Sequence, residues 1–188
     1  RFKRKTPFNW KEEQLNEDAL NRKFTHKEGY IMFPSTHDIT PLHLSQAIIF
    51  LKSLLYNDND VLIVTKPNFE CIKTICDSFT SYKDHILFRF TVGSADSTVL
   101  KFWEPNAPSY EERRKSIIYA YDHGYKTSLS CEPMLDNNID AVINDLQDFV
   151  TDSIWLGKMN FVLRRLKANG NDDSKTLNAA NLILRWQS

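Results

Sequence analysis

An α/β fold with parallel strands is what this chain predicts, on three observations. Five short apolar strands each run into a polar cluster, helix-like stretches fill the intervals, and strand starts lie about 25 to 40 residues apart, the length of one βα unit. Strand, polar tip and helix in repetition describe a parallel sheet whose site sits at the strand C-termini. Right-handed crossovers would curl five such strands into an open barrel. A closed eight-stranded barrel needs about 250 residues and does not fit. A flat doubly wound sheet stays open as an alternative, although no strand is followed by Gly-x-Gly-x-x-Gly or by a phosphate loop.

The elements follow in order. Residues 1–28 are polar and basic, with Phe8 and Trp10 as the large apolar anchors before Leu15, and read as an arm packing on the domain. Tyr30–Phe33 is the first strand, ending in Ser35, Thr36, His37 and Asp38. Thr40 is a good N-cap with Pro41 at the first helical position. Leu42, Ile48, Ile49, Leu51, Leu54 and Leu55 then supply a helical face, closed by the turn signal Asn57–Asp60. The strand Val61–Val64 shows no alternation, which suits a strand buried on both faces, and it ends in Thr65, Lys66 and Pro67.

A helix from Pro67-Asn68 runs through Ile72, Ile75 and Phe79 to the strand Ile86–Phe90, whose tip is Thr91-Val92-Gly93-Ser94. Ser97–Trp103 makes one or two helical turns, broken by Glu104–Pro108. Ser109 caps the next helix, with Glu111 and Glu112 in its first turn and Gly124 at its end. The strand Thr127–Ser130 leads to Cys131-Glu132-Pro133, and the helix Asn138–Val150 leads to the strand Ser153–Leu156 and the tip Gly157–Asn160. Two helices, Phe161–Ala168 and Thr176–Trp186, complete the chain. The expected division is an arm over 1–28, a β/α barrel over 29–160 and a helical extension over 161–188.

Bulk composition bounds the function. The 188 residues suffice for one domain with a real core. Lys+Arg and Asp+Glu both count 24, which argues against a protein that coats nucleic acid. No apolar run approaches the roughly 18 residues of a membrane span, and Arg1–Lys5 is not a signal peptide. Three cysteines, an odd number, point to a reducing, cytoplasmic compartment. The chain has no initiator Met, so a piece of a longer product is expected.

Several strand-tip residues are suited to chemistry. Lys66 follows a wholly apolar strand, where it can bind a carboxylate or phosphate, act as a base, or remain a solvated lysine. Thr91, Gly93 and Ser94 offer hydroxyls and backbone N–H groups to an anion, or form an ordinary turn. Glu132 has either a functional role or an ion pair with Arg89 or Lys158. His37 and Asp38 are adjacent and make no simple dyad. Cys71 and Cys76 lie about 140° apart around one helix and, like lone Cys131, read as buried structural thiols rather than metal ligands.

At these tips the sequence resembles the radical S-adenosylmethionine (radical SAM) superfamily, in the branch related to spore photoproduct lyase. The similarity runs from about Gly29 to Asn160. It is carried by Ser35-Thr36-His37-Asp38-Ile39, Val64-Thr65-Lys66, Phe88-Arg89-Phe90-Thr91-Val92, Leu100-Lys101-Phe102-Trp103-Glu104-Pro105 and Ser109-Tyr110-Glu111-Glu112-Arg113. The resemblance implies a partial (β/α)6 barrel. It implies reductive cleavage of S-adenosylmethionine at a [4Fe–4S] cluster, an external electron donor, and a 5′-deoxyadenosyl radical that abstracts a substrate hydrogen. By resemblance, Lys66 and Thr91 contact the amino-acid end of S-adenosylmethionine, with Thr36, Asp38 and Ser94 in the same pocket, while Glu132 and Asn160 face adenosine or substrate.

Two departures from the family stand out. Its cluster motif Cys-x3-Cys-x2-Cys is absent from this chain, and the first strand and cluster loop are expected upstream of Arg1. Ser35 stands where the lyases carry a hydrogen-donor cysteine, and serine O–H is a far poorer hydrogen-atom donor, so a substrate other than thymine photoproducts is expected. Two other readings are carried forward. One is a cluster-less protein of the same fold that binds S-adenosylmethionine or nucleic acid, using the basic arm Arg1–Lys5 and Trp10. The other is a barrel lyase or aldolase with Lys66 as a Schiff base.

Overall fold

The computed structural model describes residues 24–35 and 37–186. Five strands, β1 (Tyr30–Phe33), β2 (Asp60–Thr65), β3 (Ile86–Thr91), β4 (Lys126–Cys131) and β5 (Ile154–Leu156), form one sheet in the order β1-β2-β3-β4-β5, with every neighbouring pair parallel. Helices α1 (Leu44–Leu55), α2 (Phe69–Ser78), α3 (Ser97–Trp103), α4 (Tyr110–Asp122) and α5 (Ile139–Leu146) lie in the connections. Helices α6 (Val162–Ala168) and α7 (Ser174–Trp186) follow the sheet. Spatial order equals chain order, so the sheet has no point where strand order reverses, the feature that defines a doubly wound fold.

The register divides the side chains into two faces with different surroundings. One face carries Ile31, Phe33, Val61, Ile63, Ile86, Phe88, Phe90, Leu129 and Cys131. All of these join one hydrophobic cluster with Leu51, Leu54 and Leu55 of α1, Ile72 and Ile75 of α2, Ile117 and Ala120 of α4, and Val142 and Leu146 of α5. The connecting helices thus bury their apolar stripes against a single sheet face. The other face carries Met32, Leu62, Val64, Leu87, Arg89, Thr91, Ser128, Ser130 and Trp155, and none of these belongs to that cluster. At the two edges of this second face, Met32 and Trp155 are 51% and 47% exposed. The expectation that Val61–Val64 is buried on both faces is therefore corrected. Burial along β2 alternates between buried and half-buried, because only one face is packed by helices.

Local chemistry explains the element boundaries. Asn68 caps α2 by accepting from Cys71 N, Asp96 caps α3 by accepting from Thr98 N and Val99 N, and Ser109 caps α4 by accepting from Glu112 N. Thr40 does sit at an N-cap with Pro41 next. That turn is a 3-10 helix over Pro41–His43 before α1 begins, and the Thr40 side chain makes no capping bond. The expected helix Asn138–Val150 is α5 followed by a 3-10 turn over Gln147–Phe149. Buried Asn59 donates to Leu54 O and accepts from Lys27 N at 2.9 Å, tying the segment before β1 to the α1–β2 turn. Phe24 packs edge-on against Phe50 of α1; the rest of the arm, residues 1–23, lies outside the described residues. Among the described residues, no helix is long and apolar enough to cross a membrane.

Helices α4 and α5 are tied by a polar clamp. Asp145 accepts from Arg114 Nε at 2.9 Å and from the Tyr110 hydroxyl at 2.6 Å. Partial burial pushes the Asp145 carboxyl up, but the hydrogen bonds from Arg114 and Tyr110 outweigh it and hold it below its ordinary value of 3.8. A carboxyl more acidic in the folded state stabilises above its unfolded value, and that contribution is lost as pH falls through the folded value. Arg114 and Asp145 are each about a third exposed, so the pair is screened. Asp145→Asn should cost about 0.5–1 kcal/mol at pH 7, with the gap to the parent closing as the pH drops below about 4 in urea-unfolding series.

Candidate functional site

The C-terminal rim of the sheet carries a charged cleft built around Lys66, the residue that follows β2. The Asp38 carboxylate, from the loop after β1, accepts from the Lys66 backbone N–H at 2.7 Å and lies 3.3 Å from its Nζ. The Thr65 hydroxyl donates to the same carboxylate at 3.3 Å and accepts from Ile39 N at 3.1 Å. Loop and strand are thereby locked together by three short-range contacts to one aspartate. A second carboxylate, Glu104, follows α3 and stands 3.8 Å from Lys66 Nζ. Asp38, Lys66, Trp103, Glu104, Pro108 and Glu112 line a cleft of about 680 Å³.

Glu104 is held from behind by Arg113. That guanidinium is fully buried; it donates to Glu104 Oε2 at 2.7 Å, to Pro108 O at 2.9 Å and to Thr91 O at 3.2 Å. Arg113 occupies the buried stripe of α4 with Tyr110, Ile117 and Ala120. Sequence reading gave neither Arg113 nor Glu104 a role. The available signal was the spacing of Tyr110, Arg113, Ile117 and Ala120, which puts an arginine at a core-facing position. A charge at such a position needs a built partner. Glu112, one residue earlier, accepts from Asn68 Nδ2 at 2.7 Å and from Phe69 N at 3.1 Å, so a side chain of α4 satisfies the N-terminus of α2.

The predicted tip residues do not all converge on this cleft. Asp38 and Lys66 meet directly. Thr91 is linked to the same network through its carbonyl, which accepts from Arg113. Ser94 is buried one loop further on, where its hydroxyl donates to Asp136 and accepts from Asp96 N at 2.8 Å; it is a structural knot between the tips of β3 and β4. Glu132 is exposed and lies against the Gly157 backbone, where a Cβ at residue 157 would strike its carboxylate. The alternative reading of Glu132, as one half of an ion pair with Arg89 or Lys158, is not met: no such pair is formed among the described residues. Arg89 bonds Ser128 Oγ at 3.1 Å instead, because the register sets those two side by side. Asn160 lies exposed in the turn before α6, and Thr36 falls outside the described residues. The tips of β3, β4 and β5 are stitched by the backbone bonds Leu135 N to Gly93 O (2.8 Å), Met134 N to Gly157 O (3.0 Å) and Gly157 N to Cys131 O (3.2 Å). A Cβ on Gly93 would sit 2.7 Å from Pro133 O, so this close approach requires glycine.

The three thiols are buried and free. Burial pushes Cys76 and Cys131 up to about 12, and burial together with Glu112 and Glu70 pushes Cys71 up to about 11. Among the described residues no group of three His, Cys, Asp or Glu is placed to hold a metal ion. Comparison with family models, with curated proteins and with solved structures gives no match for this chain.

Two measurements follow from this geometry. Arg113→Ala should cost about 3–5 kcal/mol by urea denaturation, because Glu104 and two carbonyls lose a buried partner, whereas Lys66→Ala on the half-exposed rim should cost about 1 kcal/mol or less. Native protein at pH 8 should leave all three thiols unreactive toward a disulfide reagent, and guanidinium should release all three at once.

Proposed function

We propose that this chain is the S-adenosylmethionine-holding barrel of a radical SAM enzyme related to the spore photoproduct lyase branch. The observation that carries the reading is the Asp38–Lys66 pair at the C-terminal rim of a singly ordered parallel sheet. The sequential strand order and the packing of the connecting helices on one face favour a sheet that curls toward a partial barrel. In that reading the second face, with Arg89, Thr91, Ser130 and Trp155, is the inner one.

The rim residues fit the cofactor's amino-acid end. That end carries a carboxylate and an ammonium side by side, and the cleft presents an ammonium and a carboxylate 3.3 Å apart. Lys66 would take the carboxylate and Asp38 the ammonium, with Glu104 as a second acceptor. S-adenosylmethionine bound there would supply the deoxyadenosyl group for hydrogen abstraction from a substrate. The chain's own residues would orient it. Thr65 and the Lys66 backbone N–H fix Asp38, and Arg113 fixes Glu104. Glu132 and Asn160 remain proposed contacts for adenosine or substrate.

A [4Fe–4S] cluster does not fit the thiols of this chain. All three are buried and pushed away from the thiolate form that iron requires, and among the described residues they form no group placed to hold a metal. In this proposal these thiols do not supply the cluster ligands, and no step through the cluster is assigned to residues of this chain. The Schiff-base alternative is less favoured, because Lys66 is engaged by one carboxylate and flanked by a second, an arrangement suited to a counter-ion.

Calorimetric titration tests the reading. S-adenosylmethionine should bind the parent, and Lys66→Ala should weaken it by roughly tenfold or more, the usual loss for a charge-assisted contact. Asp38→Asn should weaken it too. Equal affinity in the parent and both variants, or no binding at all, would remove the assignment of the cleft.

A further inference from the structure

The cleft around Lys66 has an aromatic wall. Trp103 closes α3, one residue before Glu104, and both line the cleft. The indole is half-buried: it packs against the main apolar cluster, and Phe102 meets it edge-on with ring centroids 5.0 Å apart. Phe102 is itself braced from α7 by Lys175, whose Nζ lies 5.4 Å from its ring centroid. The Trp103 ring is thus held by its neighbours while part of its surface stays open at the cleft.

The residue next to it is an acceptor with spare capacity. The Glu104 side chain is only 14% exposed, and its Oε2 takes the Arg113 hydrogen bond at 2.7 Å. Its Oε1 accepts no hydrogen bond among the described residues, and Lys66 Nζ, 3.8 Å away, is beyond that reach. Asp38 differs, because Oδ1 accepts from Lys66 N and from the Thr65 hydroxyl while Oδ2 lies against Lys66 Nζ. A carboxylate oxygen largely withdrawn from water and left open is best satisfied by a donor or a cation.

Net charge does not choose the guest. Asp38, Glu104 and Glu112 are offset by Lys66, by Arg113 behind Glu104, and by Lys101, which donates to Pro105 O at 3.0 Å on the cleft wall. Position does. Arg113 is buried behind its carboxylate and Lys101 is held on a carbonyl, so a guest meets the Lys66 ammonium, carboxylate oxygens and one indole. An indole and an open carboxylate oxygen in one half-buried cleft favour a positive centre. We propose that Trp103 reads the charge on the side chain of the bound amino acid: a sulfonium is held against the indole, and a neutral thioether is not. The inference rests on the reading of the cleft as an S-adenosylmethionine site. It goes beyond that reading by assigning the residue that tells S-adenosylmethionine from its demethylated, uncharged analogue S-adenosylhomocysteine.

Calorimetric titration of the whole chain with the two ligands is the test. The parent should bind S-adenosylmethionine at least about fivefold more tightly than S-adenosylhomocysteine. Trp103→Leu should shrink that ratio to about twofold or less, by weakening S-adenosylmethionine alone, and Trp103→Phe should keep an intermediate ratio. Equal affinity of the parent for both ligands overturns the inference and leaves the cofactor reading standing. An undiminished ratio in the variants, or a parallel loss of both ligands, overturns it too, because a ring that only braces α3 would act on both alike. The parent ratio and Trp103→Phe, which keeps a ring in place, decide the matter if Trp103→Leu does not fold. If neither adenosyl ligand binds, the cofactor reading falls, and S-methylmethionine against methionine (same amino-acid end, charged or neutral sulfur) decides this one. The readout is the indole N–H resonance that is missing from Trp103→Phe. A saturable shift at least about fivefold tighter for S-methylmethionine keeps the inference, and equal or absent shifts overturn it.

Discussion

A guanidinium fully withdrawn from water dictates much of this structure. Arg113 is buried at the N-terminal end of α4, and a charge there is tolerated only when its donors are met by acceptors held in place. The three acceptors come from two segments: the carbonyl at the end of β3, and, in the α3–α4 connection, the carbonyl of Pro108 and the carboxylate of Glu104. Satisfying one side chain therefore fixes the path of the whole α3–α4 connection against the sheet. It also sets Glu104 at the wall of the cleft beside Lys66, which pairs with Asp38. A core requirement thus reaches the rim through a chain of alternating charges.

The two sheet faces obey opposite rules. Where the helices pack, strand residues are apolar and polar exceptions such as Thr127 are fully bonded, its hydroxyl donating to Phe149 O at 2.6 Å. On the other face the middle of the sheet turns polar, with Arg89, Ser128 and Ser130 in adjoining strands. Sheets covered on one side ordinarily place solvated residues on the other. Here those central residues are largely withdrawn from solvent, while the edge positions Met32 and Trp155 are open.

Much of the fold was legible because its punctuation is local. Ser109 with Glu112, Asn68 before α2 and Gly124 after α4 act within a few residues of themselves, and the helices begin and end there. That Lys66 and Asp38 share one rim was legible for a related reason: each follows an apolar strand, so the parallel sheet brings both there. What failed depends on register. Charge alone left Glu132 with either a functional role or an ion pair to Arg89 or Lys158, and the β3–β4 pairing, which sets Arg89 beside Ser128, four residues before Glu132, decides against the Arg89 pair. Ser94 reads either as a tip hydroxyl open to an anion or as part of an ordinary turn, and a loop forty residues on decides for structure by bringing Asp136 to it. Arg113 was missed because a charged residue in a helix suggests solvent unless its position on the buried stripe is weighed against its charge.

The preformed Asp38–Lys66 pair bears directly on how the cleft can act. An isolated ammonium at the rim would have to lose water to take up a carboxylate, and an isolated aspartate would lose water to take up an ammonium. With the two already opposed, a zwitterionic guest replaces one ion-pair contact with two, and each host charge exchanges one partner for another of the same kind. The backbone bond from Lys66 N to Asp38 and the bond from Thr65 hold the aspartate in place, so in the proposed reading the Lys66 ammonium would be the group that moves to the guest. Glu104, anchored by Arg113, would offer such a guest's ammonium a second oxygen. The asymmetry has a physical consequence for the proposed reading: Asp38 and Glu104 are each held by hydrogen bonds while Lys66 is a four-carbon stem, so an amino-acid group bound there would be positioned by the two carboxylates, with Lys66 adjusting to it.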